Sequence, residues 1–145
     1  MAQESFPSDS KEGGAPGSAA VEIRTAARAA LIPTVRAVAS DLAARADFDL
    51  DAISDLRMAV DEACATLVGL ATKDSRLSCT FDLHGDRIDV VAEVQTGPEA
   101  ELPTDSFGWR VLQTLADQVS VESGEEDTGG STLTIRLHKL AGPGL

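Results

Sequence analysis

Asp61 and Glu62 stand side by side inside the apolar stretch Asp55 to Ala71, DLRMAVDEACATLVGLA, and no other residues of the chain are better placed by type and spacing to do chemistry. Leu56, Val60, Ala63, Leu67 and Leu70 recur at alternating steps of four and three, the spacing of one buried helical stripe. Glu62 falls off that stripe. At about 100° per residue it shares a neighbouring face with Asp55, Ala59, Thr66 and Gly69, so a carboxylate and a hydroxyl one turn apart can address one ligand. The competing reading is a solvated acidic helix face, which is common.

Other reactive side chains are sparse. Cys64 and Cys79 are too few and too far apart for a metal cluster, and a reducing compartment leaves them as thiols, either buried and inert or acting as a redox switch. His84 and His138 have no Cys or His near them, so they read as strand-surface histidines rather than metal ligands or triad members.

The 145 residues, 43% hydrophobic and 25% charged, suit one globular domain with a real core. Four Phe, one Trp and no Tyr leave that core to Ala, Leu, Val and Ile and offer no base-stacking platform. A formal net charge of -12 would repel a phosphate backbone, so a protein with basic patches is the expected partner and nucleic acid is not. The N-terminus lacks a basic segment followed by an apolar run, and no stretch approaches a membrane span. A cytoplasmic location without membrane contact is therefore expected.

Residues 1–19 are rich in Gly, Ser, Pro and charge, which predicts a disordered tail ahead of a single domain over 20–140, with 141–145 as a C-terminal tail. Val21, Glu22 and Ile23 alternate as a first short strand. A helix follows from Ala30 or Ile32 to Ala46, with Leu31, Val35, Val38 and Leu42 as its stripe and Pro33 in its first turn. The segment Asp47 to Asp51 breaks the pattern and offers Asp51 as cap for the helix that carries Glu62. Leu77 to Leu83 and Arg87 to Val94 read as a hairpin about Gly85-Asp86. A third helix from Ser106 to Gln118 should turn Phe107, Val111, Leu112 and Leu115 inward. Val119 to Glu122 and Thr132 to Leu137 close the chain as strands around an acidic loop, whose Glu125, Glu126 and Asp127 read as a solvated tip. The order β-α-α-β-β-α-β-β predicts an α+β fold: a two-layer sandwich with a mixed, mostly antiparallel sheet and helices on one face.

In that order, four segments resemble the RsbW-type anti-sigma-factor serine kinases of the histidine-kinase-like (GHKL) ATPase superfamily, over about Val21 to Leu140. LRMAVDEACATLV is similar to the family's N-box helix; the resemblance implies Glu62 as catalytic general base and Thr66 at the position of the Mg²⁺-holding Asn. Val94-Gln95-Thr96-Gly97 resembles the D-x-G element, with Gln95 at the adenine-reading Asp and Gly97 retained. Ser106-Phe107-Gly108-Trp109 resembles the G-x-G-L motif after the ATP lid, Ser106 standing for its first Gly and Gly108 for its second. Gly130, Ser131 and Thr132 resemble the closing G-T element, and Arg36 matches the Arg through which the family contacts its partners.

The resemblance implies a regulator that holds a stress or developmental sigma factor, often as a homodimer, and yields it to an anti-anti-sigma factor. Kinase-competent members use ATP and Mg²⁺ to phosphorylate a Ser of that antagonist. Here a Thr hydroxyl shortens the reach to a metal, Gln95 lacks the charge of Asp, and the Cβ of Ser106 narrows the approach to phosphates. Only Pro98 to Phe107 separate Gly97 from Gly108, a short lid. These departures predict impaired nucleotide binding and kinase activity with sequestration retained. An active serine kinase and a nucleotide-free scaffold remain the alternatives, and Trp109 either fills the nucleotide site or extends the core.

Overall fold

Alternating side chains in five extended segments build one wholly antiparallel sheet in the computed structural model, which describes residues 18–127 and 129–143. The strands are β1 (Ser18–Ala26), β2 (Arg76–His84), β3 (Arg87–Thr96), β4 (Gln118–Glu125) and β5 (Ser131–Leu140), arranged β1-β2-β3-β5-β4. The helices are α1 (Ile32–Arg45), α2 (Leu50–Leu70) and α3 (Phe107–Leu115), with a single 3-10 turn, Ala29–Leu31, leading into α1. The expected order of elements is present, and no pair of strands is parallel, where a mixed sheet was expected. Ser18 and Ala19, expected in the tail, belong to β1. The rest of that N-terminal tail, and positions 144 and 145 of the C-terminal one, lie outside the described residues.

Antiparallel partners share a face, so the register sorts the sheet in two. Phe81 opposes Val90, Val90 opposes Leu137, and Leu137 opposes Val119 on the face that α2 covers. Phe81, Ile88, Val90, Val94 and Ile135 are buried there against Leu56, Val60 and Leu67 of α2. Asp82, Asp89, Arg136 and His138 point to the other face, which no helix covers among the described residues. There His84 Nε2 lies 3.2 Å from Asp82 Oδ2, and Arg136 pairs with Glu122. A shallow hollow of about 930 Å³ runs over that polar face. It contains neither Glu62 nor the loops around it.

Local chemistry explains where the helices start and stop. Asp47 takes a left-handed φ of 60°, tolerable for Asp, which ends α1 and drives Phe48 into the core. Asp49, not the expected Asp51, caps α2: its carboxylate accepts from Ala52 N at 2.8 Å, and Asp51 sits in the first turn. Pro33 occupies the first turn of α1 as expected. The buried stripe of α1 is Ile32, Val35, Ala39 and Ala43, rotated from the expected one because Val38 and Leu42 are only half-buried at its margin. At the hairpin, Gly85 supplies a φ of 58°. The segment 141–143 is tied down rather than free: Asp49 N donates to Ala141 O, and Ala141 N to Asp86 O.

Candidate functional site

Glu62 and Thr66 face the same way from α2, and the Thr66 hydroxyl donates to Glu62 Oε2 at 3.2 Å. Both are partly buried, because α3 packs across α2 at this level. Ser106 starts α3 as its N-cap, accepting from Trp109 N at 3.2 Å, so a hydroxyl residue there has a structural use that a glycine would lack. One turn of helix then lays Gly108 directly on the Glu62 carboxylate. A methyl group at Gly108 would stand 2.6 Å from Glu62 Oε2 and 3.2 Å from its Cδ. A side chain at 108 would force the Glu62 carboxylate to move, and the negative charge of Glu62 lies against the positive end of α3.

Gln95 and Thr132 lie on the other side of the sheet. They oppose each other across β3 and β5, while Val94 and Thr96 on either side of Gln95 turn into the core. The Gln95 amide donates to Glu126 Oε1 at 3.1 Å instead of reaching toward Glu62. Thr132 Oγ1 lies under Gly124. Ser131 opposes Thr96 on the helical side, Gly97 follows the end of β3, and Gly130 accepts from Glu126 N in the β4–β5 turn. The structure thus brings Glu62, Thr66, Ser106 and Gly108 together and leaves Gln95 and Thr132 apart from them.

The fit of a Mg²⁺-nucleotide to these residues is poor. A cavity of about 500 Å³ beside Gly97 is lined by Thr96, Ser131 and Thr132, but also by Glu99, Glu101 and Glu125 and by no Lys or Arg. That lining repels a polyphosphate. Leu102, from the short segment before α3, and Trp109 are both buried in the core cluster, so Trp109 extends the core and the segment is pinned instead of forming a free lid. Glu62 is left with a hydroxyl neighbour and a glycine in contact, an arrangement able to orient one water or hydroxyl group.

Arg36, on the partly exposed side of α1, forms an ion pair with Asp61, Nη1 to Oδ2 at 3.0 Å. Asp61 is therefore neither a mere solvated face nor part of the Glu62 contact; it couples α1 to α2. Sequence reasoning placed the acid pair but missed its partner, since the two residues are far apart in the chain. It also missed Glu126 as the companion of Gln95, and Ser106 as a cap, although a Ser before an apolar helical run signals one. Phe107, expected inward, is 80% exposed at the start of α3, because Trp109 and Leu112 take the buried positions. Cys64 on α2 and Cys79 on β2 are fully buried free thiols in hydrogen-bond contact, a contact that together with burial pushes the Cys79 thiol well above its ordinary range.

Residues 25–137 match the histidine kinase-like ATPase domain family. The chain is 32% identical over 139 residues to the anti-sigma-F factor RsbW of Mycobacterium tuberculosis, an alignment that covers 94% of this chain and 81% of that protein. It is 24% identical over 144 residues to the serine-protein kinase RsbW of Bacillus cereus, covering 86% of this chain and 90% of the relative.

Proposed function

Since the chain belongs to the RsbW-type branch of the histidine kinase-like ATPase family, we propose that it is an anti-sigma factor that works by sequestration, with its nucleotide step impaired. What carries this reading is a separation: Arg36 stays accessible on α1, while the expected nucleotide positions are split between the two faces of the sheet. Docking of a protein needs an open surface and survives the loss of a phosphate cradle. The relative named as an anti-sigma-F factor matches along nearly the whole chain, and the charge of -12 suits a partner with basic patches.

In this reading a sigma factor and an anti-anti-sigma factor compete for one surface centred on Arg36. Release then follows from relative affinity and concentration, without a covalent step. The chain acts as a homodimer in the cytoplasm, where a sigma factor meets its polymerase. No helix is long and apolar enough to cross a membrane among the described residues.

A second reading, the active serine kinase, is favoured by the 3.2 Å contact of Glu62 with Thr66. Glu62 would then take the proton of the attacking Ser hydroxyl, and Thr66 would offer a hydroxyl beside it for a metal.

Purified chain titrated with the sigma-F-class factor of its own source organism, with and without Mg²⁺ and ATP, tests both. Equal affinity in the two conditions is the expected result. No binding in either overturns the anti-sigma reading and leaves a nucleotide-free scaffold. Phosphate transfer to an anti-anti-sigma protein, lost in Glu62→Ala, establishes the kinase.

A further inference from the structure

Among the described residues the large apolar side chains left exposed are Leu50, Met58, Phe107 and Leu140. Leu50 and Leu140 flank the hydrogen bond from Asp49 N to Ala141 O at one end of the molecule. Met58 and Phe107 belong instead to the helical layer beside the acid pair. Met58 stands one turn before Glu62 on α2, and Phe107 precedes Gly108, where a Cβ would lie 2.6 Å from Glu62 Oε2. Asp61, the other acid of the pair, holds Arg36 of α1. Arg36 therefore sits on one flank of α2 and Phe107 on the other, with Met58 on the outer side of the same helix.

Phe107 is 80% exposed and has no route inward. Its backbone is fixed on both sides: Ser106 N donates to Pro103 O, Arg110 N donates to Ser106 O, and Ser106 Oγ accepts from Trp109 N. Trp109 already fills the core, and Gly108 lies against Glu62. An aromatic ring held in water on a fixed helix start leaves apolar area unburied by folding. The same fixity prepares it for a partner, since little backbone freedom is left to lose on binding.

We propose that Phe107, with Met58 beside it, is the apolar half of the docking surface whose polar half is Arg36, and that a sigma factor takes it up in an apolar pocket rimmed by Lys or Arg. This rests on the anti-sigma reading and deepens it. Aromatic residues and Arg are the side chains enriched at interface hot spots, and here one of each lies within the same three-helix layer. The charge beside the ring selects the rim. Asp105 is exposed just ahead of it, and Asp61 and Glu62 are partly exposed on α2, against Arg110 one turn along α3. In a chain of net charge -12, a basic rim is attracted and an acidic one repelled. The relative at 32% identity is named for a sigma factor as its target.

Titration of the full chain with the same sigma-F-class factor, at low salt and at about 0.5 M salt, tests the surface through Phe107→Ala, Phe107→Leu, Met58→Ala and Arg36→Ala, with thermal unfolding of each chain alone. Phe107→Ala should weaken binding at least about tenfold and Met58→Ala about threefold, while Phe107→Leu keeps most of the affinity. The loss from Phe107→Ala should persist at high salt and that from Arg36→Ala should shrink, which separates an apolar contact from an ionic one. The Tm of Phe107→Ala should stay within about 2 °C of wild type, because the side chain removed is already in water. A larger fall in Tm places Phe107 in the core and overturns the surface. Wild-type binding that Phe107→Ala leaves intact overturns the Phe107 contact alone, and the anti-sigma reading then stands. A wild type that binds no sigma factor overturns that reading and this surface with it.

Discussion

Arg36 Nη1 lies 3.0 Å from Asp61 Oδ2, so the residue of α1 proposed for docking is held by the neighbour of Glu62 on α2. Any partner carboxylate that engages Arg36 must share it with Asp61, whose Oδ1 is buried with no hydrogen-bond partner among the described residues. The proposed docking surface and the Glu62 region are thereby linked through one ion pair. The side chains are 39% and 35% exposed, so solvent screens the pair and its own contribution is small.

Asp61→Asn should therefore cost less than about 1 kcal/mol in urea unfolding, since it keeps the shape and frees an exposed cation. Arg36→Ala should cost somewhat more, because it strands a half-buried carboxylate. The functional order runs the same way: Arg36→Ala should weaken sigma-factor binding at least about tenfold, in the range of an interface hot spot. Asp61→Asn should leave the affinity near wild type or raise it. A loss from Asp61→Asn equal to that from Arg36→Ala would show that Asp61 itself contacts the partner.

Gly108 and Glu62 form a pair that a double-mutant cycle can read. In a helix Ala is favoured over Gly by up to about 1 kcal/mol, so Gly108→Ala would normally stabilise α3. With Glu62 in place the added methyl stands 2.6 Å from Oε2 and the carboxylate must swing away from Thr66. Gly108→Ala alone should be neutral or destabilising by about 1 kcal/mol, and in a Glu62→Ala background it should stabilise. Thermal unfolding of the four proteins gives the coupling. Additive effects would mean that the carboxylate does not rest on Gly108 in solution.

Much of the fold was legible because its periods are unambiguous. The stripe Leu56, Val60, Ala63, Leu67 has one helical solution, and Leu77 to Leu83 alternates cleanly toward a core. Phe107 was misread because periodicity assigns it to the apolar side of α3, while the burial of Trp109 turns that helix by tertiary contact. The convergence of Glu62 and Thr66 was visible from helical spacing alone. The contacts of Gly108 with Glu62, Arg36 with Asp61 and Gln95 with Glu126 were not, since each depends on how separate elements pack.

Gly142, one residue before the end of the described chain, takes a left-handed φ of 98°, and a Cβ there would run into the Asp49 carboxylate that caps α2. Gly142→Ala adds a strained backbone and drives a methyl into Asp49, which must then leave Ala52 N. The expected loss is about 1–3 kcal/mol, combining backbone strain with a lost cap. It should appear as a clear fall in Tm and shrink to the backbone-strain part alone in an Asp49→Ala background, where the cap is already gone. An unchanged Tm for Gly142→Ala would mean that the segment after β5 does not stay docked.

Cys79 gives the alkaline limb of stability. Its thiol is fully buried and hydrogen-bonded to Cys64, and both effects raise its pKa above the ordinary 9.0. Because the folded value lies above the unfolded one, the unfolded chain gives up its proton first as the pH rises. The contribution of this group is complete below 9.0 and declines as the pH climbs toward the raised folded value, with a slope of at most about 1.4 kcal/mol per pH unit. The chain has no Tyr, so phenol titration does not obscure this window. Urea unfolding from pH 7 to 10.5 should show a steeper alkaline decline for wild type than for Cys79→Ala, whatever their difference in absolute stability at pH 7. Native protein should likewise resist a thiol-labelling reagent at pH 8 until it is unfolded. Rapid labelling of the native state would show that the Cys64–Cys79 layer opens to solvent, and parallel pH profiles would remove Cys79 as the cause of the decline.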